Sequence, residues 1–189
     1  MQKVIILTGP SGVGKNTLGD FLLQQFPELS YSVSATTRPI RKGETDGKDY
    51  HFIPLDEFRK KLEEEEVLEW QEVYEGAYYG TLKSELIRIN GLDKYPLLVI
   101  DVFGALNIMK NLKFKPLSVF VQPKDLDVLR QRLESRGSES PEKIAKRLEK
   151  ARVEMEEVHQ FDISIINDEL PVAQQQLAAI VKYFLQHGN

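Results

Sequence analysis

The chain contains no cysteine, which excludes disulfide bonds, thiolate metal sites and a cysteine nucleophile. It has no apolar run of the roughly 20 residues that a membrane-spanning helix needs, so we expect no membrane partner. Its net charge is −4, and a nucleic acid polymer, which is itself negatively charged, is therefore not an expected partner. Its three histidines, His51, His159 and His187, lack the spacing of metal ligands.

The rest of the composition is that of an ordinary globular protein. Hydrophobic residues make up 41% and charged residues 29% of the 189 positions, which is enough for one sizeable core. The first apolar run begins at Val4, which leaves no room for a signal peptide. We therefore expect a single domain in the cytoplasm.

A glycine-rich loop near the amino terminus predicts phosphate binding. The loop reads Gly9, Pro10, Ser11, Gly12, Val13, Gly14, Lys15. It follows an apolar run at 4–8 and leads into a helix-like stretch at 15–25, which is the context of a phosphate-binding loop. The glycines let backbone N–H groups turn toward an anion, and the helix start adds partial positive charge. Lys15 is expected to reach the outer phosphates of a nucleotide.

The residue after the lysine departs from the usual pattern. A hydroxyl that coordinates magnesium between the phosphates normally stands there, whereas this chain has Asn16. The carboxamide offers an oxygen with a longer reach, and Thr17 supplies a hydroxyl one residue later, on a different helix face. Asn16 is therefore a candidate magnesium ligand, and both residues are candidate nucleotide contacts.

Apolar runs alternate with amphipathic stretches along most of the chain, which predicts a parallel sheet with helices on both faces. Strands are predicted at 4–8, 31–35, 96–100, 117–121 and 163–166. Helices are predicted at 15–25, 106–111, 126–136, 142–158 and 172–185. The region 34–90 breaks this alternation, with short strand-like pieces at 50–53, 68–73 and 77–79. We expect a core of 1–33 and 91–189 and an insert at 34–90. Within the core, a lid is expected at about 132–147, around the irregular segment 137–141.

A second phosphate site is indicated within the insert. Arg38 and Arg41 lie three residues apart among hydroxyl side chains, and Tyr50 follows. Arginine grips phosphate oxygens in pairs, which suits this pattern. A solvated loop would have the same composition, so the residues alone leave both readings open.

Taken together, these motifs resemble the guanylate kinase family. The segment 34–52, read with the glycine loop, carries the resemblance. Further family motifs follow in order: Glu69-Trp70, Tyr78-Tyr79-Gly80, Arg132-Leu133-Glu134-Ser135-Arg136-Gly137 and Ile166-Asn167-Asp168. The likeness covers essentially the whole chain. It implies the α/β fold of P-loop nucleoside-monophosphate kinases, with a parallel core sheet, a small mixed α/β acceptor-binding insert and a mobile lid.

The resemblance also implies an activity, a cofactor and a set of site residues. The reaction is ATP + GMP → ADP + GDP with magnesium, dGMP being a further expected acceptor, in purine nucleotide metabolism. ATP contacts are implied for Gly9, Pro10, Ser11, Gly12, Val13, Gly14, Lys15, Asn16, Thr17 and Asn167. GMP contacts are implied for Ser34, Arg38, Arg41, Glu44, Tyr50, Glu69, Tyr79, Thr81 and Asp101. Catalytic roles are implied for Lys15, Arg132, Arg136 and Arg147.

Elementary chemistry supports several of these roles. A carboxylate such as Glu69 can accept both adjacent donors of guanine, whereas adenine would leave the buried acceptors unpaired. Arg132 and Arg136 are four residues apart, so they share a helix face beside the predicted lid. Asp101 follows a predicted strand and suits a magnesium-linked water.

Three positions depart from the family pattern, and two other readings stay open. Val99 stands where the family often has an aspartate, Phe103 where it often has a glutamine, and Asn16 replaces the hydroxyl. One alternative is a non-catalytic guanylate-kinase-like interaction module, which tends to have a degraded ATP site. Another is a related kinase with a different acceptor, such as ribose 1,5-bisphosphate. The expected partners are ATP and GMP, and the expected state is a monomer or homodimer.

Overall fold

A computed structural model of the protein describes residues 3–74, 76–112, 114–135 and 140–188. Within these ranges the chain forms nine strands and seven α-helices. The strands are β1 (Ile5–Thr8), β2 (Leu29–Tyr31), β3 (Ala35–Thr36), β4 (His51–Phe52), β5 (Val67–Tyr74), β6 (Ala77–Leu82), β7 (Tyr95–Val99), β8 (Leu117–Gln122) and β9 (Ile163–Ile166). The helices are α1 (Lys15–Gln25), α2 (Leu55–Glu63), α3 (Lys83–Asn90), α4 (Val102–Asn111), α5 (Leu126–Ser135), α6 (Pro141–Glu156) and α7 (Leu170–His187).

The core is a five-stranded parallel sheet in the order β2-β7-β1-β8-β9. Successive side chains of β1 point to opposite faces of the sheet. Ile5 and Leu7 pack in one cluster with buried residues of α1 and α7, whereas Ile6, together with Val4 just before the strand, packs in another with residues of α4. Both faces are therefore buried, which explains the nearly continuous apolar runs of these strands. The predicted α/β fold with helices on both faces is confirmed.

A second, four-stranded sheet has the order β4-β3-β6-β5. Its longest strands, β5 and β6, form an antiparallel hairpin, and α2 covers the sheet with the fully buried Phe58. Phe58 packs with Ala35 of β3 and Leu82 of β6. The sequence pattern indicates short strands in this region but neither α2 nor α3, because both helices are short and mostly polar.

The prediction of one core strand at 31–35 is wrong. Strand β2 ends at Tyr31, and the chain then leaves the core sheet. Ala35 and Thr36 pair instead with β4 and β6 of the second sheet. The apolar and hydroxyl residues of this run therefore belong to two different sheets, which periodicity along one segment cannot distinguish.

Helix α4 begins earlier than the predicted start at 106. Asp101 is its N-cap residue, and one oxygen of that carboxylate, Oδ1, accepts hydrogen bonds from the backbone nitrogens of Phe103 and Gly104, each at 3.1 Å. An aspartate cap satisfies donors that the first turn would otherwise leave unpaired, and it fixes the helix start.

Among the described residues, no helix combines the length and the apolar character needed to cross a membrane.

We expect Phe58 to be essential for the stability of the second sheet. Replacement by alanine should lower the free energy of unfolding by about 3–5 kcal/mol, because it removes a large buried side chain and leaves a cavity. Urea unfolding measures this loss. Ile87→Ala is the control, since Ile87 is 71% exposed on α3 and should change stability by about 0.5 kcal/mol or less. Equal effects of the two substitutions would contradict the packing described.

Candidate functional site

The glycine loop follows β1 directly and lies against the neighbouring strand β8. A Cβ atom at Gly9 would lie 2.0 Å from the carbonyl oxygen of Val121, which is too close for any side chain. Gly9, Gly12 and Gly14 also have φ angles of 137°, 89° and 97°, in the region that favours glycine. Gly9 therefore allows the loop to follow β8 closely, and the positive φ angles of all three glycines suit the turn from β1 into α1.

Cationic side chains from two helices meet the loop. Lys15 is the first residue of α1, and its Nζ donates to the carbonyl oxygens of Gly9 at 2.6 Å and Pro10 at 3.1 Å. Arg147 on α6 donates from Nη1 to Ser11 Oγ at 3.2 Å. Together with the loop amides and the start of α1, these groups form a site suited to phosphate oxygens.

Asn167 joins the segment after β9 to the same loop. Its Nδ2 donates to the carbonyl oxygen of Val13 at 2.8 Å, and the residue is only 4% exposed. Its Oδ1 is buried, and no hydrogen-bond partner for this oxygen exists in the part of the chain that the structure describes. An unpaired buried acceptor costs about 1–3 kcal/mol, so this oxygen indicates a place for a ligand's donor.

The predicted lid arginines fall partly within the described residues. Arg132, near the end of α5, donates from Nη2 to the carbonyl oxygen of Asp168 at 3.3 Å. Lys124 forms an ion pair with the carboxylate of Asp168 at 3.1 Å. Arg136 lies outside the described residues. Arg132 therefore reaches the segment after β9, and Arg147 reaches the glycine loop.

The candidate magnesium ligands lie at the starts of two helices. Asn16 and Thr17 are exposed in the first turn of α1. Asp101 caps α4 with Oδ1, and its Oδ2 lies 3.3 Å from the place that a Cβ atom of Gly104 would take. The helix cap thus occupies one oxygen of Asp101 and fixes the direction of the other.

A second cluster suited to anions surrounds Arg38, which follows β3. The Nε atom of Arg38 donates to the hydroxyl of Tyr79 at 2.9 Å. Its Nη1 and Nη2 donate to the two carboxylate oxygens of Glu44 at 2.7 and 2.5 Å. The ring of Tyr50 faces the guanidinium at 5.1 Å and lies 5.7 Å from the Tyr79 ring. The backbone nitrogen of Arg41 also donates to Glu44, at 2.8 Å, while the Arg41 residue is exposed.

Glu44 contacts Arg38 as an anionic ligand would. Hydrogen bonds from the Arg38 side chain and the Arg41 backbone hold the pKa of Glu44 at about 2, and the same pairing raises the pKa of Arg38. Arginine grips phosphate in the same paired geometry. Ser34 lies just before β3, and its carbonyl oxygen accepts a hydrogen bond from the backbone of His51 at 2.9 Å.

Glu69 is a buried carboxylate on β5, only 7% exposed. Its Oε1 accepts a hydrogen bond from Thr81 Oγ1 at 2.8 Å, and its Oε2 would lie 2.8 Å from a Cβ atom at position 104. Gly104 therefore leaves the space that this carboxylate uses. The pKa of Glu69 is raised to about 7: burial is the main cause and the charge of Asp101 adds to it, while hydrogen bonds from the side chain and the backbone of Thr81 oppose the rise.

No motif marks Glu154, yet it is a buried carboxylate beside these groups. It lies on α6, is 2% exposed, and pairs through Oε1 with Lys150 Nζ at 3.5 Å. Burial raises its pKa, while the charges of Lys150 and Lys15 lower it and that of Asp101 raises it. One sequence signal could have indicated it: Glu154 falls three residues after Ala151 on the buried face of α6.

Comparison with known proteins gives one consistent family. The sequence model of the family described as guanylate kinase matches residues 1–183. The guanylate kinase of Salinibacter ruber is 41% identical over 184 residues, which cover 97% of this chain and 97% of that protein. The guanylate kinase of Porphyromonas gingivalis is 39% identical over 186 residues, covering 98% of this chain and 99% of that protein.

A solved structure agrees with the sequence relatives. The crystal structure of guanylate kinase from Anaplasma phagocytophilum matches with a TM-score of 0.76 and 28% sequence identity, covering 99% of this chain and 88% of that one. Likeness therefore extends over nearly the full length in both sequence and fold. The chain belongs to the guanylate kinase family.

Proposed function

We propose that this protein is a guanylate kinase, an ATP:GMP phosphotransferase that converts ATP and GMP to ADP and GDP. The observation that carries the proposal is Glu69, a buried carboxylate held by Thr81, in a protein that also has two separate sites suited to phosphate. Guanine presents two adjacent donors that such a carboxylate accepts, and a polar site of this kind rejects a base without them. We propose dGMP as a second acceptor.

The loop at 9–15 holds the phosphates of ATP in this proposal. Backbone N–H groups and the start of α1 bind the phosphate oxygens, with Asn16 and Thr17 at the first turn. Lys15 exchanges the carbonyl oxygens of its own loop for the outer phosphates. The unpaired Oδ1 of Asn167 accepts from the amino group of adenine.

The second sheet and its loops hold GMP. Arg38 releases Glu44 and turns its paired donors to the GMP phosphate, while Glu44 keeps the guanidinium oriented in the free protein. Arg41, Tyr50 and Tyr79 complete this phosphate site. Guanine is then bound by Ser34, Glu69, Thr81 and Asp101.

Transfer needs mainly positioning and charge neutralisation. An oxygen of the GMP phosphate bonds to the γ-phosphorus of ATP as the bond to the bridging β–γ oxygen breaks, and the electron pair leaves with ADP. Lys15, Arg132, Arg136 and Arg147 neutralise the charge on the transferring group. We propose that a lid at about 132–147 and an insert at 34–90 close on a core of 1–33 and 91–189, which excludes water.

Magnesium fits the donors present, in a limited role. Among the described residues, no group of three or more histidine or acidic side chains could enclose a metal ion. Magnesium typically keeps several waters and binds through one or two carboxylates plus substrate phosphates, which agrees with so few donors. We propose Asp101, through water, and Asn16 as the protein contributions. The ion would neutralise the β- and γ-phosphates of ATP.

The remaining expectations stay predictions. We propose a monomer or homodimer that acts on small molecules in the cytoplasm, without a nucleic acid or membrane partner. A non-catalytic interaction module and a kinase for ribose 1,5-bisphosphate are the competing functions, and one acceptor screen distinguishes all three.

The screen uses the wild-type protein with ATP, magnesium and one of GMP, dGMP, AMP, IMP, UMP or ribose 1,5-bisphosphate. We expect turnover with GMP and dGMP far above that with the other acceptors, measured as ADP release. Lys15→Ala should lower kcat by about 10²-fold or more with little change in melting temperature, because it removes a charge that acts on the phosphates. Lys60→Ala is the control, since Lys60 is an exposed residue of α2. Normal turnover in Lys15→Ala would disprove the assignment of the loop.

Glu69→Gln should weaken GMP binding and stabilise the protein at alkaline pH. A rise of the pKa from 4.5 to about 7 corresponds to stability on the order of 3 kcal/mol that is fully present below pH 4.5 and is lost as the pH rises through about 7. Glutamine carries no charge, so the variant should not show this loss. We expect the KM for GMP to rise about tenfold and the preference over AMP to fall.

Urea unfolding of both proteins at pH 5 and pH 8 measures the stability difference, and initial rates measure the KM. Glu57→Gln, on the exposed side of α2, serves as the matched control. Parallel pH profiles for wild type and Glu69→Gln would show that Glu69 is not the group that titrates.

Asn16 should affect the magnesium requirement only modestly. A neutral carboxamide is a poor direct ligand for an ion that demands octahedral geometry at about 2.1 Å. Asn16→Ala should therefore cost about tenfold in kcat or less, and Asn16→Ser should lower the magnesium concentration for half-maximal rate. Rates measured against magnesium at fixed ATP test this, with Gln24→Ala on the same helix as control. A collapse in Asn16→Ala as deep as in Lys15→Ala would make Asn16 a direct ligand.

A further inference from the structure

The chain passes between the two sheets twice, and the two passages lie side by side. Residues 32–34 run outward from β2 to β3, and helix α3 leads back from β6 to β7. The backbone nitrogen of Val33, in the outward passage, donates to Glu85 Oε2 on α3 at 2.8 Å. One carboxylate therefore joins segments that are 52 residues apart in sequence.

Glu85 is only 3% exposed and accepts hydrogen bonds from three directions. Besides Val33, its donors are His51 Nε2 at 3.1 Å and Arg88 through Nε and Nη2 at 2.8 and 2.9 Å. Arg88 Nη2 also donates to the carbonyl oxygen of Tyr31 at 3.2 Å, at the end of the core strand β2. Although burial raises the pKa of Glu85, the hydrogen bonds from Arg88, Val33 and His51 outweigh it and hold the pKa at about 2.

The anchored positions are neighbours of residues assigned to GMP. Val33 directly precedes Ser34, and His51 directly follows Tyr50. Glu85 itself lies four residues after Thr81, in the first turn of α3, the helix that follows β6. The Tyr31 contact ties the same network to the core sheet. Three separate segments of the acceptor site are thus held by one buried charge.

We propose that Glu85 is a positioning residue for the phosphoryl acceptor, GMP: it fixes the three GMP-binding segments to one another and to the core sheet. This inference rests on the proposed function, because GMP is the ligand that those segments are assigned to bind. Glu85 itself does not contact the reacting atoms. It acts through the backbone of Val33 and the side chains of His51 and Arg88.

Loss of the charge should displace the binding groups rather than remove any of them. A glutamine at position 85 keeps one acceptor oxygen and replaces the other with an NH2 donor. At the Oε2 position that donor would face Val33 N–H and Arg88 Nη2, and at the Oε1 position it would face His51 Nε2 and Arg88 Nε. In either orientation Arg88 loses a hydrogen bond together with Val33 or His51. The segments can then shift slightly, and paired contacts to phosphate and base are sensitive to small displacements.

Steady-state kinetics with GMP and ATP varied separately test this inference. For Glu85→Gln we expect the KM for GMP to rise about tenfold, the KM for ATP to change less than about twofold, and kcat to fall less than the KM rises. Calorimetric titration with GMP should show a matching loss of affinity. Glu57→Gln is the matched control: it makes the same chemical change at an exposed position of α2, which packs on the second sheet, and it should leave both KM values unchanged.

Arg88 provides a second, milder route to the same network. Arg88→Lys keeps the charge but loses the paired geometry, and we expect the KM for GMP to rise about threefold. The double variant should have a KM for GMP close to that of Glu85→Gln alone, because both substitutions break one network. Arg88→Lys also keeps the test decisive if Glu85→Gln does not fold.

The outcomes separate the two proposals. A wild-type protein that does not phosphorylate GMP overturns the proposed function, and this inference with it. An active wild type overturns this inference alone if the folded variants keep a normal KM for GMP. A lower kcat with unchanged KM values for GMP and for ATP, together with a lower melting temperature, would likewise overturn it. That combination is expected if Glu85 only stabilises the fold.

Discussion

The absence of a side chain at Gly9 is the constraint on which the site depends. With a Cβ atom only 2.0 Å from the carbonyl oxygen of Val121, any other residue would push the loop away from β8. The close approach carries the loop across the carboxyl ends of β1 and β8 and lets α1 begin at Lys15. In this position Val13 meets Asn167 and Ser11 meets Arg147. The glycine loop, helix α6 and the segment after β9 thus share one geometric requirement.

The protein is acidic overall, and the cations that we propose for phosphate binding already have hydrogen-bond acceptors within the protein. Lys15 donates to carbonyl oxygens of its own loop, and Arg38 is paired with Glu44. Each of these contacts resembles the one that a phosphate oxygen would make, so little reorganisation is needed when a ligand replaces the internal acceptor. Glu69 shows the opposite arrangement, because its buried carboxylate is bound by the neutral donors of Thr81 and has a raised pKa. Hydrogen bonds from a ligand would stabilise the charged form of such a carboxylate, which its buried environment disfavours.

The sequence is sufficient to predict those parts that depend on neighbours along the chain. The parallel core and the helices on both faces follow from spacing and apolar periodicity, and they are confirmed. Phosphate binding by the glycine loop stays a prediction. The run at 31–35 is assigned wrongly because its two ends pair with strands of different sheets. Glu154 and Glu85 have no motif, since their importance comes from burial among partners distant in sequence, such as Lys15 and Val33. Helical spacing could indicate only that each shares a helix face with apolar residues, and the structure shows that this face is buried.

A buried charge at the joint between the sheets is an unusual choice if stability alone matters. Well-packed apolar residues often replace a buried ion pair without loss of stability, whereas removing one partner of the pair is costly. An apolar side chain at position 85 would pack, but it would fix no direction and would leave the N–H of Val33 without an acceptor. The carboxylate of Glu85 instead has directional bonds to the outward passage, to β4 and to its own helix. The cost of its burial is therefore better explained by the precision with which it orients the neighbouring segments than by the stability that it adds.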